Sequence, residues 1–350
     1  MKEETTENKE NGKKIDWHVY NLSKTKEKTL FYKLLHELCQ MIPEPPHDNG
    51  RPPVPIRDLV FCACLKAYSN YSGRKVSPDL VQAQNLGYIT KAPHFNTLTD
   101  FFNLKETIEL LEKLVTISSL PLKHLEDSFS LDSSGFCTHV RSRYRYFKYG
   151  KYEDLEEKGW RLFVKGHLCI GTRTNVIVSV SVTPGNQADI SEAPKLLKIL
   201  RDNKFLVKEV SADKAYSSKR VRQLIESMGA MGYIPYKENS VMDDKAPKIW
   251  NKMYLYFLHN YDIFIQHYHK RSNIETVFMM IKLKFGEHLR CKKFVSQSCE
   301  LLLKFICHNL CCLIAEIFEN DVHVDFRKSI EEILDREVRE REKSDPANKP

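Results

Sequence analysis

Three acidic side chains in this sequence could meet at one site. Asp132 lies in "SLDSSG", on a predicted strand, and Asp213 lies in "SADKAY", at the end of a later predicted strand. Ligands of open α/β sheets collect at the carboxyl ends of parallel strands, so these two carboxylates would lie together if their strands are neighbours. Glu275 would add a third carboxylate if its helix packs across the same edge of the sheet.

Three carboxylates without histidine or cysteine suit a hard cation such as Mg²⁺ or Mn²⁺ and are poor ligands for zinc. Two such ions held about 3.5–4 Å apart can activate a water or a 3′-hydroxyl and stabilise the leaving oxygen of a phosphodiester. The chemistry would be phosphoryl transfer. Taken singly, Asp132 and Asp213 are more simply explained as turn or cap residues, because aspartate is common where strands end. The assignment therefore depends on Glu275 and the cations around it.

Glu275 belongs to the stretch "HYHKRSNIETVFMMIKLKFG", residues 267–286. On an α-helix, Tyr268, Arg271, Glu275 and Lys282 would form one polar stripe within roughly 60°. An adjacent face is apolar and predicted to be buried; its residues are Ile274, Val277, Phe278, Ile281 and Phe285. For an arbitrary helix, a solvated face with ion pairs one turn apart is the commoner explanation of such a stripe.

The motifs "SLDSSG", "SADKAYSS" and "HYHKRSNIETVFMMIK" resemble the three catalytic regions of the insertion-sequence DDE transposases. The spacing of Tyr268, Arg271, Glu275 and Lys282 agrees with the Tyr-Arg-Glu-Lys pattern of that group at every step. The resemblance covers about residues 128–290. It implies a ribonuclease-H-like core in which Asp132, Asp213 and Glu275 hold two Mg²⁺ or Mn²⁺ ions.

The same resemblance implies that Tyr268, Arg271 and Lys282 contact phosphates near the scissile bond. The implied activity is metal-dependent cleavage of DNA at the ends of a mobile element, followed by joining of the freed 3′-hydroxyl to target DNA. The implied partners are the terminal inverted repeats and the target DNA. We expect a homodimer or larger assembly on the DNA, because two element ends must be paired.

Further basic and aromatic residues could also face DNA. Arg141, Arg143 and Arg145 alternate with aromatic residues in "RSRYRYFKYGK", a composition that suits base stacking and equally suits a twisted surface strand. Lys214 and Tyr216 follow Asp213 and could position a phosphate, although they also suit the entry into a helix. The basic residues of "KLKFGEHLRCKKF", from Lys282 to Phe294, are weaker candidates because exposed lysines are usually only solvated.

The predicted helices and strands divide the chain into four segments. Residues 1–28 would be disordered, and 29–125 would form a helical domain that binds DNA ends. Residues 126–325 would form the catalytic domain, in the order β-β-β-α-β-α-β-α. Residues 326–350 would be a charged tail, partly helical and partly disordered. The predicted fold class is α/β, a ribonuclease-H-like mixed sheet with flanking helices, preceded by the helical domain.

Composition narrows the class of protein. The formal net charge of +8 and the pI near 8.8 favour a polyanionic partner without proving one. The first 28 residues lack the apolar core of a secretory signal. The apolar stretch "LLLKFICHNLCCLIAEIF" is interrupted by Lys304, His308, Asn309 and Glu316, which suits a buried helix better than a membrane span. We therefore expect no membrane partner and a soluble protein associated with the nucleoid in a prokaryotic cytoplasm.

Three alternatives remain open from the sequence. Cys307, His308 and Cys311 could bind zinc, but small apolar core residues are the commoner explanation on a hydrophobic helix. The chain could be a non-catalytic DNA-binding regulator derived from a transposase. It could also be a metal-dependent nuclease that cuts DNA without joining strands.

Overall fold

A computed structural model describes residues 16–46, 52–138 and 163–333 of this protein. Arg141, Arg143 and Arg145 lie outside the described residues, so their predicted DNA contacts stay predictions. Five helices precede the sheet. They are α1 (Trp17–Cys39), α2 (Ile56–Tyr68), α3 (Ser77–Asn85), α4 (Phe95–Phe101) and α5 (Glu106–Ser119).

Helix α1 corrects one prediction, because residues from Trp17 onward are helical although disorder was predicted up to residue 28. The Asp16 carboxylate caps the helix by accepting hydrogen bonds from the backbone N–H groups of His18 and Val19. Farther along, Glu27 accepts a hydrogen bond from the Tyr68 hydroxyl at 2.7 Å. A polar, charged composition was misleading here because two partners of Glu27, Tyr68 and Lys284, lie far away in the sequence.

Five strands form one mixed sheet in the order β3-β2-β1-β4-β5. The strands are β1 (Ser128–Cys137), β2 (Phe163–Gly171), β3 (Ile177–Pro184), β4 (Glu209–Ala212) and β5 (Met231–Tyr233). The pairs β1–β2 and β2–β3 are antiparallel, whereas β1–β4 and β4–β5 are parallel. Together with the flanking helices, this arrangement confirms the predicted ribonuclease-H-like α/β class.

Six helices follow the first three strands. They are α6 (Asp189–Asp202), α7 (Lys219–Ser227), α8 (Lys248–His259), α9 (Tyr261–Tyr268), α10 (Ser272–Phe285) and α11 (Phe294–Asn320). Helix α6 covers one face of the sheet, where the Ser179 hydroxyl of β3 donates to the Leu196 carbonyl. Helices α10 and α11 cover the other face, where the Phe136 ring of β1 contacts Phe278 and Phe305. The order of strands and helices agrees with the predicted order up to β5, whereas helix α8 lies in a segment for which no helix was predicted.

Helix α11 is the central core helix. It is the one described helix that is long and apolar enough to cross a membrane, but 78% of its most apolar window is buried inside the protein. Helices α1, α2 and α5 pack against it, and it shares one hydrophobic core with them and the sheet. The prediction of a buried helix is confirmed. In the part of the chain that the structure describes, its Cys and His residues belong to no metal-binding group.

Candidate active site

Asp132 on β1 and Asp213, directly after β4, occupy corresponding positions of two neighbouring parallel strands. The last residue pair between β1 and β4 is Leu131 with Ala212, and each aspartate directly follows its member of that pair. Adjacent strands are about 4.8 Å apart, so the two side chains leave the sheet from neighbouring positions. Strand β4 ends at Ala212, whereas β1 continues to Cys137. The two carboxylates therefore lie where β4 ends and β1 continues without this neighbour.

The surroundings of Asp132 are partly apolar. Burial raises the pKa of Asp132, and repulsion from Asp213 adds to the increase. A hydrogen bond from the Ser133 backbone N–H to Oδ1, at 2.8 Å, and the charge of Arg271 act in the opposite direction. Because a second carboxylate lies so close, binding of a cation at this position is favourable.

Asp213 begins a short 3₁₀ turn, Lys214–Tyr216, and its carboxylate accepts a hydrogen bond from the Lys214 N–H at 2.6 Å. The Lys214 side chain is exposed, whereas Tyr216 is only 1% exposed. Since a backbone phosphate cannot reach a fully buried side chain, only Lys214 of this predicted pair is accessible to DNA in this conformation.

The stretch around Glu275 is not one continuous helix, which corrects the sequence prediction. Helix α9 ends at Tyr268, a 3₁₀ turn covers His269–Arg271, and α10 begins at Ser272. The Ser130 hydroxyl donates to the Lys270 carbonyl at 3.3 Å, and the Ser272 hydroxyl donates to the His269 carbonyl at 2.9 Å. Side chains thus bond two carbonyl groups of the turn, which favours a tighter local geometry.

The apolar face of α10 is buried as the periodicity predicts. Its buried residues are Ile274, Val277, Phe278, Ile281 and Phe285. This packing fixes the helix across β1 and directs its polar edge towards the acidic strand positions.

Glu209 in β4 holds the 3₁₀ turn against the sheet. Its carboxylate bonds His267 at 2.5 Å, forms an ion pair with Lys270 and accepts a hydrogen bond from the Ser128 hydroxyl at 2.9 Å. Burial favours the protonated acid, but hydrogen bonds from these three groups outweigh it and lower the pKa of Glu209. The His267 ring also stacks on Tyr233 with ring centroids 4.4 Å apart.

Arg271 joins two of the predicted acidic residues. Its guanidinium donates to Asp132 Oδ2 at 2.8 Å through Nη1 and to Glu275 Oε1 at 2.6 Å through Nη2. The same guanidinium lies 5.8 Å from the centre of the Tyr268 ring. One end of the bridge is sheltered and the other is open, because the side chains of Asp132 and Glu275 are 20% and 60% exposed.

Lys282 extends this line of charge along β1. Its amine donates to the Ser134 hydroxyl at 2.9 Å and lies 5.2 Å from the centre of the Phe136 ring. Side chains alternate between the two faces of a strand, so Asp132, Ser134 and Phe136 share the face covered by α10. Lys282 is therefore on the same side of the sheet as Arg271.

A polar cluster on the opposite face of the sheet was not found from the sequence. Asp189, the first residue of α6, accepts hydrogen bonds from the Ser133 hydroxyl at 2.8 Å and from the Lys165 amine at 2.9 Å. The His167 Nδ1 atom lies 3.5 Å from the same carboxylate. The one available signal was the run of polar residues in "SLDSSG", which is unusual in a strand that is otherwise buried.

The donor set suits a hard divalent cation, because the converging groups are carboxylates. In the described residues, however, no three Asp, Glu, His or Cys side chains lie close enough together to hold one metal ion. Instead, the Arg271 guanidinium lies between Asp132 and Glu275. Positive charge thus already lies between two of the three acids.

A comparison with protein families gives one match. The family model described as "Transposase DDE domain" matches residues 125–310. No curated protein and no solved structure is similar enough to count as a match. The matched region begins just before β1 and includes Asp132, Asp213, Glu275 and most of α11. Because this region is more than half of the 350 residues, the chain belongs to the transposase DDE domain family.

Proposed function

We propose that this protein cleaves DNA at the ends of an insertion sequence and joins the freed 3′-hydroxyl to target DNA. Family membership supports a transposase in general. The specific site is supported by the positions of Asp132 and Asp213, each directly after the last residue pair between β1 and β4. Arg271 also connects Asp132 to Glu275. Side chains 139 residues apart in the sequence are joined there.

Asp132, Asp213 and Glu275 would hold two Mg²⁺ or Mn²⁺ ions. Such ions activate the attacking oxygen and stabilise the leaving oxygen of the phosphodiester. The protein contributes three oxygen donors and a neighbouring chain of cations. To expose all three donors, Arg271 would release Asp132 and Glu275, and a DNA phosphate offers the guanidinium an alternative partner.

Phosphate near the scissile bond would be bound by Tyr268, Arg271, Lys282 and Lys214. Lys282 and Arg271 lie along one face of β1, which matches the linear course of a DNA strand. Lys214 is exposed beside Asp213. We do not extend this role to Tyr216, because its side chain is buried. DNA ends would be paired by a dimer or larger assembly inside a prokaryotic cell.

The test is strand cleavage and joining on the DNA that borders the gene, with Mg²⁺ or Mn²⁺ present. We expect Asp132→Ala, Asp213→Ala and Glu275→Ala to abolish both steps while DNA binding in EDTA persists. Glu226→Ala, an exposed acid on α7, is the matched control and should remain active. Equal activity of the parent and Asp132→Ala would reject the proposed site.

The same assay separates the other functions. A regulator would bind DNA in EDTA and yield no product with either metal. A nuclease would yield cut ends that are never joined. Inverted repeats bordered by short direct duplications beside the gene would support transposition independently of any protein variant.

A further inference from the structure

A basic cleft lies between the N-terminal helices and the start of α11. Its cations are Lys66 on α2 and Arg290, Lys292 and Lys293 in the segment that precedes α11. They surround a cavity of about 390 Å³ that also contacts Phe95 and Phe102. The cleft thus collects charge from two parts of the chain that are far apart in sequence.

The four cations of the basic cleft lack acidic partners in the part of the chain that the structure describes. Within the described residues, none of them forms an ion pair, and no residue that lines the cavity is acidic. Lys66 lies instead 5.0 Å from the centre of the Phe102 ring. Glu300 is nearby, but its carboxylate accepts hydrogen bonds from the backbone N–H groups of Arg290 and Cys291 at 2.9–3.1 Å.

Two further observations indicate a positive potential at the basic cleft. Burial lowers the pKa of the Lys304 amine to about 8, and Lys66 and Arg290 add to the decrease while Glu300 opposes it. Helix α11 has 27 residues and no side-chain cap at Lys293, so its N-terminal partial charge also faces this region. Isolated surface lysines would only be solvated, whereas these cations converge on a concave surface.

The position of the basic cleft relative to the acids identifies its ligand. The Leu289 N–H donates to the Cys137 carbonyl at 2.7 Å, which fixes the segment before Arg290 at the end of β1. The strand from Asp132 to Cys137 spans about 17 Å, from about 3.3 Å per residue. Double-stranded DNA rises 3.4 Å per base pair along each strand, so this span corresponds to about five base pairs. Lys282 lies between the two ends, beside Ser134.

We propose that the basic cleft binds the phosphate backbone of the same DNA duplex whose scissile phosphate lies at Asp132, at least about five base pairs away. This inference rests on the proposed function. The repeated phosphates of a duplex fit a line of cations from Arg271 through Lys282 to Arg290, whereas a single small anion would occupy only one position. The contact is to the backbone and carries no base specificity.

The experiment measures affinity for duplex DNA in EDTA as a function of salt. The probes contain the element end from the DNA bordering the gene, and they extend either three or fifteen base pairs beyond the scissile phosphate on each side. The test variant is Arg290→Gln with Lys292→Gln and Lys293→Gln. Its matched control is Lys113→Gln with Lys198→Gln and Lys248→Gln, three exposed lysines outside the cleft lining. Melting temperatures check that both remain folded.

For the long probe, we expect the test variant to lose about two to three units of salt slope, since each phosphate contact contributes about 0.9. Affinity near physiological salt should fall by about 10-fold or more. For the short probe, the test variant should bind like the parent. The charge-preserving variant Arg290→Lys with Lys292→Arg and Lys293→Arg should keep the parental slope, and so should the matched control.

Two outcomes would overturn the inference in different ways. Equal binding of the long probe by the parent and the test variant would reject the cleft while leaving the proposed function intact. A parent that binds neither probe would reject DNA as the partner and with it the proposed function. If the triple variant is unfolded, the single substitution Lys292→Gln replaces it, with an expected loss of about one unit of slope.

Discussion

The Arg271 guanidinium donates to the Asp132 carboxylate at 2.8 Å, although the two residues are 139 positions apart. Because the same guanidinium bonds Glu275, the cation occupies the space between two proposed metal ligands. When the protein is free of DNA, the positive charge of Arg271 partly neutralises the negative charges of Asp132 and Glu275. It also implies competition, since a metal ion and Arg271 would use the same carboxylate oxygens.

Replacement of Arg271 by alanine should strengthen metal binding by the DNA-free protein. Removing a competing cation frees Asp132 and Glu275, and hydrogen bonds between charged groups contribute about 1.5–3 kcal/mol each. We expect Mn²⁺ affinity to rise by about 10-fold, measured by electron paramagnetic resonance. DNA cleavage should nevertheless fall, because a phosphate contact is lost.

Lys282→Ala is the matched control for that experiment. It removes a cation that bonds Ser134 and not the acids, so Mn²⁺ affinity should stay at the parental value while DNA affinity decreases. If Arg271→Ala bound Mn²⁺ no more tightly than the parent, competition between the guanidinium and the metal would be excluded.

Glu209→Gln should destabilise the protein in a manner that depends on pH. The folded state lowers the pKa of Glu209 below its usual value of 4.5, so the group contributes stability above that pH. That contribution is lost as the pH falls through the folded pKa. Near neutral pH, the variant should lose about 1–3 kcal/mol, because Lys270 and His267 lose a largely buried carboxylate.

Thermal unfolding at pH 7 and pH 4 would measure this effect. The difference between the parent and Glu209→Gln should narrow at the lower pH, while the exposed control Glu226→Gln should show little difference at either pH. A difference that stayed constant from pH 7 to pH 4 would contradict the pKa argument.

Asn309→Ala should be one of the more damaging core substitutions. The Asn309 amide on α11 accepts from the Ile177 N–H at 2.8 Å and donates to the Ile177 carbonyl at 2.7 Å, so it satisfies the first residue of edge strand β3. It also donates to the Ser118 hydroxyl at 2.9 Å. Loss of the amide leaves buried polar groups unpaired, and we expect a cost of about 2–4 kcal/mol.

Denaturant unfolding would measure that cost, with Asn273→Ala as the control. Asn273 also donates to a backbone carbonyl, that of Thr172, but it does so from a more exposed position. A smaller loss for Asn309→Ala than for Asn273→Ala would show that the buried amide does not hold β3 as argued.

Local patterns were sufficient to predict the order of elements up to β5. The apolar periodicity of α10 predicted its buried face, and the strand patterns placed Asp132 on one strand and Asp213 at the end of another. These properties depend on neighbours within a few residues along the chain. The burial of α11 was predictable for the same reason, since Lys304, His308, Asn309 and Glu316 interrupt its apolar stretch.

Long-range hydrogen bonds explain where the structure differs from the sequence predictions. The 3₁₀ turn before α10 depends on Ser130 and Glu209, which belong to strands more than fifty residues earlier. The bridge of Arg271 to Asp132 could not be predicted from helix spacing, which indicated only its pairing with Glu275. The roles of the predicted site residues stay predictions until the variants are measured.

Asp189 should be a positioning residue for Asp132. Its carboxylate accepts from the Ser133 hydroxyl at 2.8 Å, and the Ser133 N–H donates to Asp132 Oδ1 at 2.8 Å. The Ser133 residue thus connects the α6 face of the sheet to the acidic face. Asp189→Ala should lower the rate of strand cleavage by about 10-fold, or about 1.4 kcal/mol, while DNA affinity in EDTA is unchanged.

Glu192→Ala provides a closely matched control, because Glu192 on the same helix accepts from the Ser181 hydroxyl at 2.8 Å but bonds β3 and not β1. Asp189→Ala loses hydrogen bonds from Ser133 and Lys165, whereas Glu192→Ala loses one from Ser181, so Asp189→Ala should have the larger decrease in thermal stability. Only Asp189→Ala should slow cleavage, and Asp189→Asn should be intermediate because it keeps an oxygen for Ser133. Equal cleavage rates for Asp189→Ala and Glu192→Ala would restrict Asp189 to a purely structural role.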